Sequence, residues 1–535
     1  MQESDDALFD MTRDFNDSRW LEAIRNFNSH DLGGAAARCH EILAERPKDP
    51  MAHWLLASIA IESGKPRLSA HHGLEASQSA AGLGILDLLQ ITWTLIVTGE
   101  AKRAYELLQG IDPHDLANQP GLWGAARQLG MLEFPARALR FLDALRGTAK
   151  RNPTVTTLRG HLLSVVGESQ RAAESFQETV AVDPVSPLAH LMLSRLGLPT
   201  ERSHRIDRLR RLLVSPPPHP EHVAMLQYAL FNELDALGDI PAAWTALVAG
   251  AEARHRSQPY DAPAEAAVID RLIETTENHA FARAPSAPSS DQSATPIFIV
   301  GLPRTGTTVL ERILGNHPDV CTCGELTALA QQHQWTANRV WDGMFDLRAA
   351  TEWQRLDAGV LGRRYLEATA WRTQGKLFFS DKTPANYMAI GLILEAMPNA
   401  RVIHLYRDPM DACFSNYKML FGPNVYKYSY SLAGLAEHHR NYTRLMAHWN
   451  RIFEGRILNL SYEDLVGNSA AHAARVLSYC GLSSRENIED LTANRSAVST
   501  ESRSQVREGI HRRYVGSWRR YAHQLQPLSD LLARN

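Results

Sequence analysis

Between Val300 and Val309 the chain runs Gly301-Leu-Pro-Arg-Thr-Gly-Thr-Thr308, two glycines with four residues between them followed by two threonines. Successive backbone N–H groups opening a helix make an anion site, and the helix dipole adds to it, so Arg304, Thr305, Gly306, Thr307 and Thr308 are read as a phosphate cradle. The spacing is that of Gly-x4-Gly-Lys-Ser/Thr, except that Thr307 stands where a nucleotide hydrolase has the lysine for its β/γ-phosphates. Kinases and ATPases also need Mg2+ held partly by a carboxylate after a second strand. Here Val402 to Tyr406 is followed by Arg407, with Asp408 one residue later, which weakens a metal role. A cation at that strand end suits a donor with an extra phosphate and no obligatory metal. Ser415, eight residues beyond Arg407, falls about two helical turns into the next segment and can meet the same anion.

Such a cradle has to sit between a strand and a helix. Ile297-Phe298-Ile299-Val300 is a short β-branched run ending at Gly301, and Thr308 to Leu314 follows at helical spacing. The alternation continues. Leu377-Phe378-Phe379 precedes a helix from about Asn386 to Met397, Arg401 to Tyr406 one from about Asp411 to Leu420, and Ile457 to Leu460 one near Ala470 to Tyr479. Apolar strands alternating with helices predict βαβ units and a parallel sheet covered on both faces, with ligands at the carboxyl ends of its strands.

Ahead of this region, Ala282 to Pro296 has almost nothing to bury and reads as a linker. Before it a small motif recurs: Gly, Ala five on, an apolar residue four further. It is clearest as Gly167, Ala172, Phe176 and Pro184, and returns as Gly99, Ala104, Leu108 and as Gly238, Ala243, Leu247, with Gly64 and Gly130 in similar places. The spacing of about 34 residues resembles degenerate tetratricopeptide repeats, in which glycine ends one helix and small alanine lets its partner approach. A generic Ala-rich bundle would also give stacked antiparallel helices. The expected layout is an α-solenoid over 1–280, a linker over 281–296 and a P-loop-like α/β domain over 297–535.

Composition sets outer limits. The 535 residues suggest two to four domains; 44% apolar and 21% charged residues exclude long disorder and collagen. Lys plus Arg (56) against Asp plus Glu (59) leaves a net charge of -3, too balanced for nonspecific nucleic-acid binding. Five scattered cysteines do not make a disulfide framework, and Cys321 and Cys323 lack the second ligand pair of a zinc site. The acidic start lacks an apolar secretory segment, and Leu83 to Val97, carrying Asp87 and Gln90, falls short of a bilayer span. A soluble, cytoplasmic enzyme without membrane or nucleic-acid partners is expected.

Together, Pro303 to Thr308 and Arg407-x7-Ser415 resemble the two phosphate-binding signatures of sulfotransferases, over roughly Pro296 to Leu528. The likeness is closer to the bacterial tetratricopeptide-repeat sulfotransferases and the related tyrosylprotein sulfotransferases. It is carried by His317-Pro-Asp-Val-Cys-Thr-Cys-Gly-Glu325, Asp381-Lys-Thr-Pro384, Ser461-Tyr-Glu-Asp-Leu465 and the tail Gln505 to Trp518. The resemblance implies 3'-phosphoadenosine 5'-phosphosulfate as co-substrate, with no metal. It implies Glu325 as the base for the acceptor hydroxyl, Lys382 and Arg304 at the sulfuryl group, Ser502 nearby and Tyr462 in the donor pocket. The acceptor it suggests is tyrosine in a peptide or protein docked by the repeats, with a homodimer left open. A positioned carboxylate is worth about 10² to 10⁴-fold in such a proton transfer, and each donor facing the leaving group roughly 2.7 to 4 kcal/mol.

The match departs in places. Cys323 falls where the secreted enzymes have a disulfide cysteine, but the partner position is Ser380; Met419, beside Lys418, replaces a phosphate-binding arginine; Ser517 replaces a basic residue. Arg507, Arg512, Arg513, Arg519 and Arg520 read individually as a solvated face and together as a cover for the nucleotide. His317 reads as a turn residue and His404 as a core histidine. Two alternatives stand beside the transferase: a P-loop kinase or nucleotide hydrolase, and a catalytically inactive repeat scaffold.

Overall fold

A computed structural model describes residues 17–281 except 117, 118 and 120, residues 293–491 except 342, and residues 509–534. Most of the expected linker, 282–292, lies outside them. Among the described residues, fifteen α-helices precede the first strand, and none of the helices is long and apolar enough to cross a membrane.

Local chemistry starts and stops the helices. Asp49 Oδ1 accepts from the N–H groups of Met51 and Ala52 at 3.1 and 3.0 Å, with Pro50 at the first helical position of Pro50–Glu62. At the turn inside each helix pair a residue takes the left-handed conformation: His30, Gly64, Gly99, Glu133, Gly167, Glu201 (with Gly197 in the same connection) and Gly238. The spacings are 34, 35, 34, 34, 34 and 37 residues, a tetratricopeptide-like period. Five residues after each turn comes a buried side chain, small in six cases: Ala35, Ser69, Ala104, Ala138, Ala172 and Ala243, with Ile206 the larger seventh. The expectation at Gly130 is corrected: that glycine lies inside helix Leu122–Met131, and Glu133 makes the turn, so Ala138 and Leu142 complete the motif.

Compactness groups the chain differently from composition, in two discontinuous units. One comprises residues up to Lys150 with Thr327–Gly343 and Leu356–Trp371; the other comprises Arg151–Leu326, Met344–Arg355 and Arg372 onward. In the first unit Trp335 lies between Arg67 and Arg364, 4.9 and 3.7 Å from ring centroid to guanidinium, and Gln331 Nε2 donates to Ile96 O at 2.8 Å. In the second, Leu226, Phe231 and Leu247 share a core with Phe414, Tyr417, Tyr521 and Leu528, and Tyr228 OH donates to Tyr417 O at 3.0 Å.

The second unit holds a five-stranded, all-parallel sheet: β1 (Thr295–Val300), β2 (Val320–Thr322), β3 (Phe378–Asp381), β4 (Arg401–Tyr406) and β5 (Ile457–Ser461), in the order β2-β3-β1-β4-β5. β1 is central, with Phe298 opposite Asp381 of β3 and Val402 of β4. Ile297, Phe298, Ile299 and Val300 are all 0% exposed, because helices cover both faces; that is why β1 reads as a continuous apolar run. Helices Thr307–Gly315 and Ser469–Cys480 supply Leu310, Ile313, Val476 and Leu477 to one face. On the other, His404 bonds Tyr442 of helix Leu432–Ile452. The helix expected from Asn386 opens instead as a 3₁₀ turn, Pro384–Ala389, before helix Ile390–Ala396.

Candidate active site

The described residues singled out in the sequence follow the carboxyl ends of the strands: Arg304 to Thr308 after β1, Glu325 after β2, Lys382 after β3, Arg407 and Ser415 after β4, Tyr462 after β5. Because β1 sits between β3 and β4, its loop is flanked by both neighbouring strand ends, the usual ligand position in such sheets.

Two glycines let the loop close. A Cβ on Gly301 (φ +151°) would lie 2.2 Å from Leu405 O, and one on Gly306 (φ +96°) 2.4 Å from the Tyr462 ring. Arg304 is itself left-handed, at φ +69°. Asn416 Nδ2 donates to Pro303 O at 2.8 Å and Thr305 Oγ1 to Leu302 O at 2.8 Å, fixing the loop from outside and within. Helix Thr307–Gly315 starts directly after Gly306, so the first amides of that helix open at the loop.

A cleft of about 610 Å³, open to solvent, lies at this loop. Arg304, Gly306, Thr308, Arg407, Ser415 and Tyr462 line it, as does Lys418. Thr305 and Thr307, expected beside them, do not; their side chains are buried at 1% and 5% exposure. The far wall comes from the tail, through Ile510, His511, Tyr514 and Ser517.

The cleft is cationic. Arg304 Nε donates to Ser415 Oγ at 3.4 Å, and Arg407 Nη1 donates to Arg304 O at 3.2 Å. The Arg407 guanidinium lies 4.8 Å from the Tyr462 ring centroid and also donates to Tyr514 O. Burial holds the Tyr462 phenol above its usual range, against the opposing charge of Arg407. Of the carboxylates nearby, Asp411 pairs with Arg407 at 3.5 Å and also accepts from the tail, and Asp408 is occupied by backbone. Asp408 caps helix Pro409–Tyr417 by accepting from Asp411 N at 3.0 Å. Asp411, 1% exposed, accepts from Gly516 N at 2.5 Å and Trp518 N at 3.2 Å, tying the tail to the cleft wall.

Lys418 is the residue to which sequence gave least weight, because it neighbours the position (Met419) where the resemblance places an arginine. Burial first, then Arg304, Arg407 and Arg520, push its ammonium down to about 8, with Asp235 pulling the other way. Its Nζ lies 4.8 Å from the Phe414 ring centroid. A crowded, desolvated cation of this kind is relieved by an anion.

Glu325 and Lys382 pair with each other: Lys382 Nζ donates to Glu325 Oε1 at 2.5 Å, the lysine side chain 0% and the glutamate side chain 45% exposed. Neither lines the cleft. Their segment is nonetheless anchored to the loop, since Gly301 N donates to Pro384 O at 3.2 Å. Lys382 N in turn donates to Gly324 O at 2.8 Å.

Ser502 and Arg507 lie outside the described residues. The other tail arginines do not line the cleft: Arg512 donates to Gly467 O, Arg520 pairs with Asp235, and Arg513 and Arg519 lie over Tyr514 and Trp518. His317, 2% exposed, accepts from Asp319 N and bonds Ser483 Oγ, as a turn residue does. His404 bonds Asn459 Oδ1 at 2.7 Å, and burial lowers it to about 4. Ser380 Oγ accepts from Cys323 N at 3.3 Å, so the two positions of the absent bridge are neighbours.

Residues 296–486 match the model of the sulfotransferase family. A protein of Aquifex aeolicus described as uncharacterized is 28% identical over 410 residues, covering 74% of this chain and 53% of that protein, so the chain spans about half the length of this relative. Protein-tyrosine sulfotransferase 1 of Danio rerio is 29% identical over 126 residues, 21% of this chain and 32% of that enzyme. The sulfotransferase domain of the Synechococcus PCC 7002 olefin synthase is 18% identical, covering 44% of this chain and 90% of that domain at a TM-score of 0.32. The segment that matches the sulfotransferase family, 296–486, thus holds the parallel sheet and the loops at its strand ends, and a helical repeat region precedes it in the chain.

Proposed function

We propose that the cleft binds 3'-phosphoadenosine 5'-phosphosulfate and that the domain transfers its sulfuryl group to a hydroxyl, a tyrosine of a peptide or protein. The observation that carries this reading is the gathering of Arg304, Arg407 and Lys418 at a glycine loop whose lysine position is taken by a buried threonine. Three cations and a set of helix-start amides suit a ligand with phosphates at two ends, while the loop lacks the lysine a triphosphate needs. The tyrosine acceptor is supported by the likeness to protein-tyrosine sulfotransferases.

In this reading Arg407, Ser415 and Lys418 hold the nucleotide's 3'-phosphate, and the loop amides with Thr308 hold its 5' side. The donor supplies an activated sulfur whose bond to the phosphate oxygen breaks as the bond to the acceptor oxygen forms. Glu325 takes the acceptor's proton. Lys382 orients that carboxylate and, with Arg304, meets the negative charge left on the nucleotide oxygen. The repeats present a surface for the acceptor protein.

Incubation of the full chain with sulfur-labelled donor and a tyrosine peptide tests this. Label on the peptide hydroxyl is expected. Magnesium-dependent ATP turnover without sulfate transfer would instead establish the kinase alternative, and nucleotide binding with no transfer to any hydroxyl would leave a scaffold.

A further inference from the structure

Two thiols lie on the segment that leads to Glu325. Cys321 is in edge strand β2, opposite Phe379 of β3, and Cys323 follows it by two residues, directly past the strand's end at Thr322. The two thiols lie close enough to act on one another's titration, Cys321 being drawn down and Cys323 pushed up. Cys321 Sγ also donates to Arg372 O at 3.2 Å and is partly exposed, whereas Cys323 is 7% exposed. The remaining cysteines, Cys39, Cys413 and Cys480, are buried at 0%, 2% and 0% exposure.

Cys321 differs from the other four cysteines in reactivity as well as access, its neighbour Cys323 being held well above the usual thiol range by Cys321 and by burial. Cys323, then the charges of Lys376 and Arg372, bring the Cys321 thiol down to about 7 against the opposing effects of burial and Glu311. Burial pushes Cys39, Cys413 and Cys480 up to about 12. Thiolate is the attacking form, so Cys321 is the reactive cysteine and Cys323 is placed to resolve what it forms.

We propose that Cys321 and Cys323 are a reversible oxidation site for hydroperoxides, and that their disulfide disarms Glu325. Cys321 sulfur attacks one oxygen of hydrogen peroxide, the O–O bond breaks, and a sulfenic acid forms with loss of water. Cys323 sulfur then attacks Cys321 sulfur, the S–O bond breaks, the S–S bond forms and a second water leaves. Two thiols have lost two electrons and two protons, and the peroxide is reduced to two waters. A dithiol reductant restores the pair.

Geometry links this chemistry to Glu325. Extended residues two apart have Cα atoms about 6.4 to 6.8 Å from each other, at the upper limit for a disulfide, so closure must shorten the segment. The pull falls on Gly324, at φ +68° the flexible joint between Cys323 and Glu325. Gly324 O accepts from Lys382 N at 2.8 Å, and Gly324 N donates to Glu311 Oε1 at 3.0 Å. Moving it displaces Glu325 from Lys382.

The effect on transfer rests on the proposed function; formation of the disulfide does not. The test is treatment of the reduced full chain with hydrogen peroxide, followed by alkylation, mass mapping, transfer assay and calorimetry with 3'-phosphoadenosine 5'-phosphate. The peptide holding both residues should lose two hydrogens at least about tenfold faster than the other cysteines react, and dithiothreitol should restore it. Cys323→Ser should trap Cys321 as a sulfenic acid that dimedone captures. Transfer should fall about 10²-fold with nucleotide affinity kept, and Cys321→Ser should make it insensitive to peroxide. Sulfinic acid at Cys321 with Cys323 present, or reaction no faster than at the buried thiols, overturns the site. A disulfide that leaves transfer unchanged overturns its link to Glu325. A reduced chain without transfer points to failure of the proposed function, while the mass shift still decides the oxidation site.

Discussion

Lys418 is charged and poorly solvated at neutral pH, and this makes nucleotide affinity sensitive to alkali. An anion prefers the ammonium form. Below a pKa of about 8 the proton is already present, and above it each pH unit costs the complex about 1.4 kcal/mol. Titrations with 3'-phosphoadenosine 5'-phosphate should therefore show affinity steady up to about pH 8 and falling about tenfold per unit above it; Lys418→Met should bind more weakly and lose that dependence. A wild-type profile flat to pH 9.5 would remove Lys418 from the site. At Glu325 the charge matters for chemistry and not for donor binding: Glu325→Gln should slow transfer about 10² to 10⁴-fold in single-turnover assays, with nucleotide affinity within about twofold. Sequence brought most of these residues into view because their types are unusual at strand ends. It undervalued Lys418, whose importance comes from Arg304, Arg407 and burial, which are properties of packing.

At the scale of elements, the loop after β1 depends on glycine where its backbone meets a ring. Gly306→Ala should cost about 1 to 2 kcal/mol for the left-handed backbone, and more for the contact at 2.4 Å with Tyr462, lowering Tm and nucleotide affinity together. Equal melting curves for variant and wild type would contradict the loop geometry. β1 was legible because burial on both faces writes an unbroken apolar run, Ile297 to Val300, and β4 because Val402, Ile403 and Leu405 are interrupted only by His404. β2 was not legible: three residues, Val320 to Thr322, at a sheet edge carry too little pattern. The repeat was legible where glycine makes the turn and hidden where His30, Glu133 or Glu201 adopts the same left-handed conformation, since those residues give no such signal. Helix Leu432–Ile452, 21 residues long, is not legible in the sequence: histidines, arginines and asparagine interrupt its apolar face, and His438 and His448 are buried through pairings with Glu265 and Thr276 that sequence does not display.

For the whole molecule, composition and compactness give different boundaries. Leu226, Phe231 and Leu247 belong to the same core as Phe414, Tyr521 and Leu528, so a fragment starting at 297 exposes apolar surface that the full chain buries. That fragment should lack a cooperative melt by circular dichroism and should bind nucleotide poorly; a sharp transition with full affinity would show that the sheet stands alone. The central claim concerns what the cationic cleft holds, and calorimetric titration of the full chain addresses it most directly. 3'-Phosphoadenosine 5'-phosphate should bind one to one without metal, and Ser415→Ala should weaken it about tenfold, the loss of a hydrogen bond to a charged group. ATP bound more tightly in the presence of Mg2+, with Ser415→Ala leaving the other nucleotide unaffected, would contradict the account.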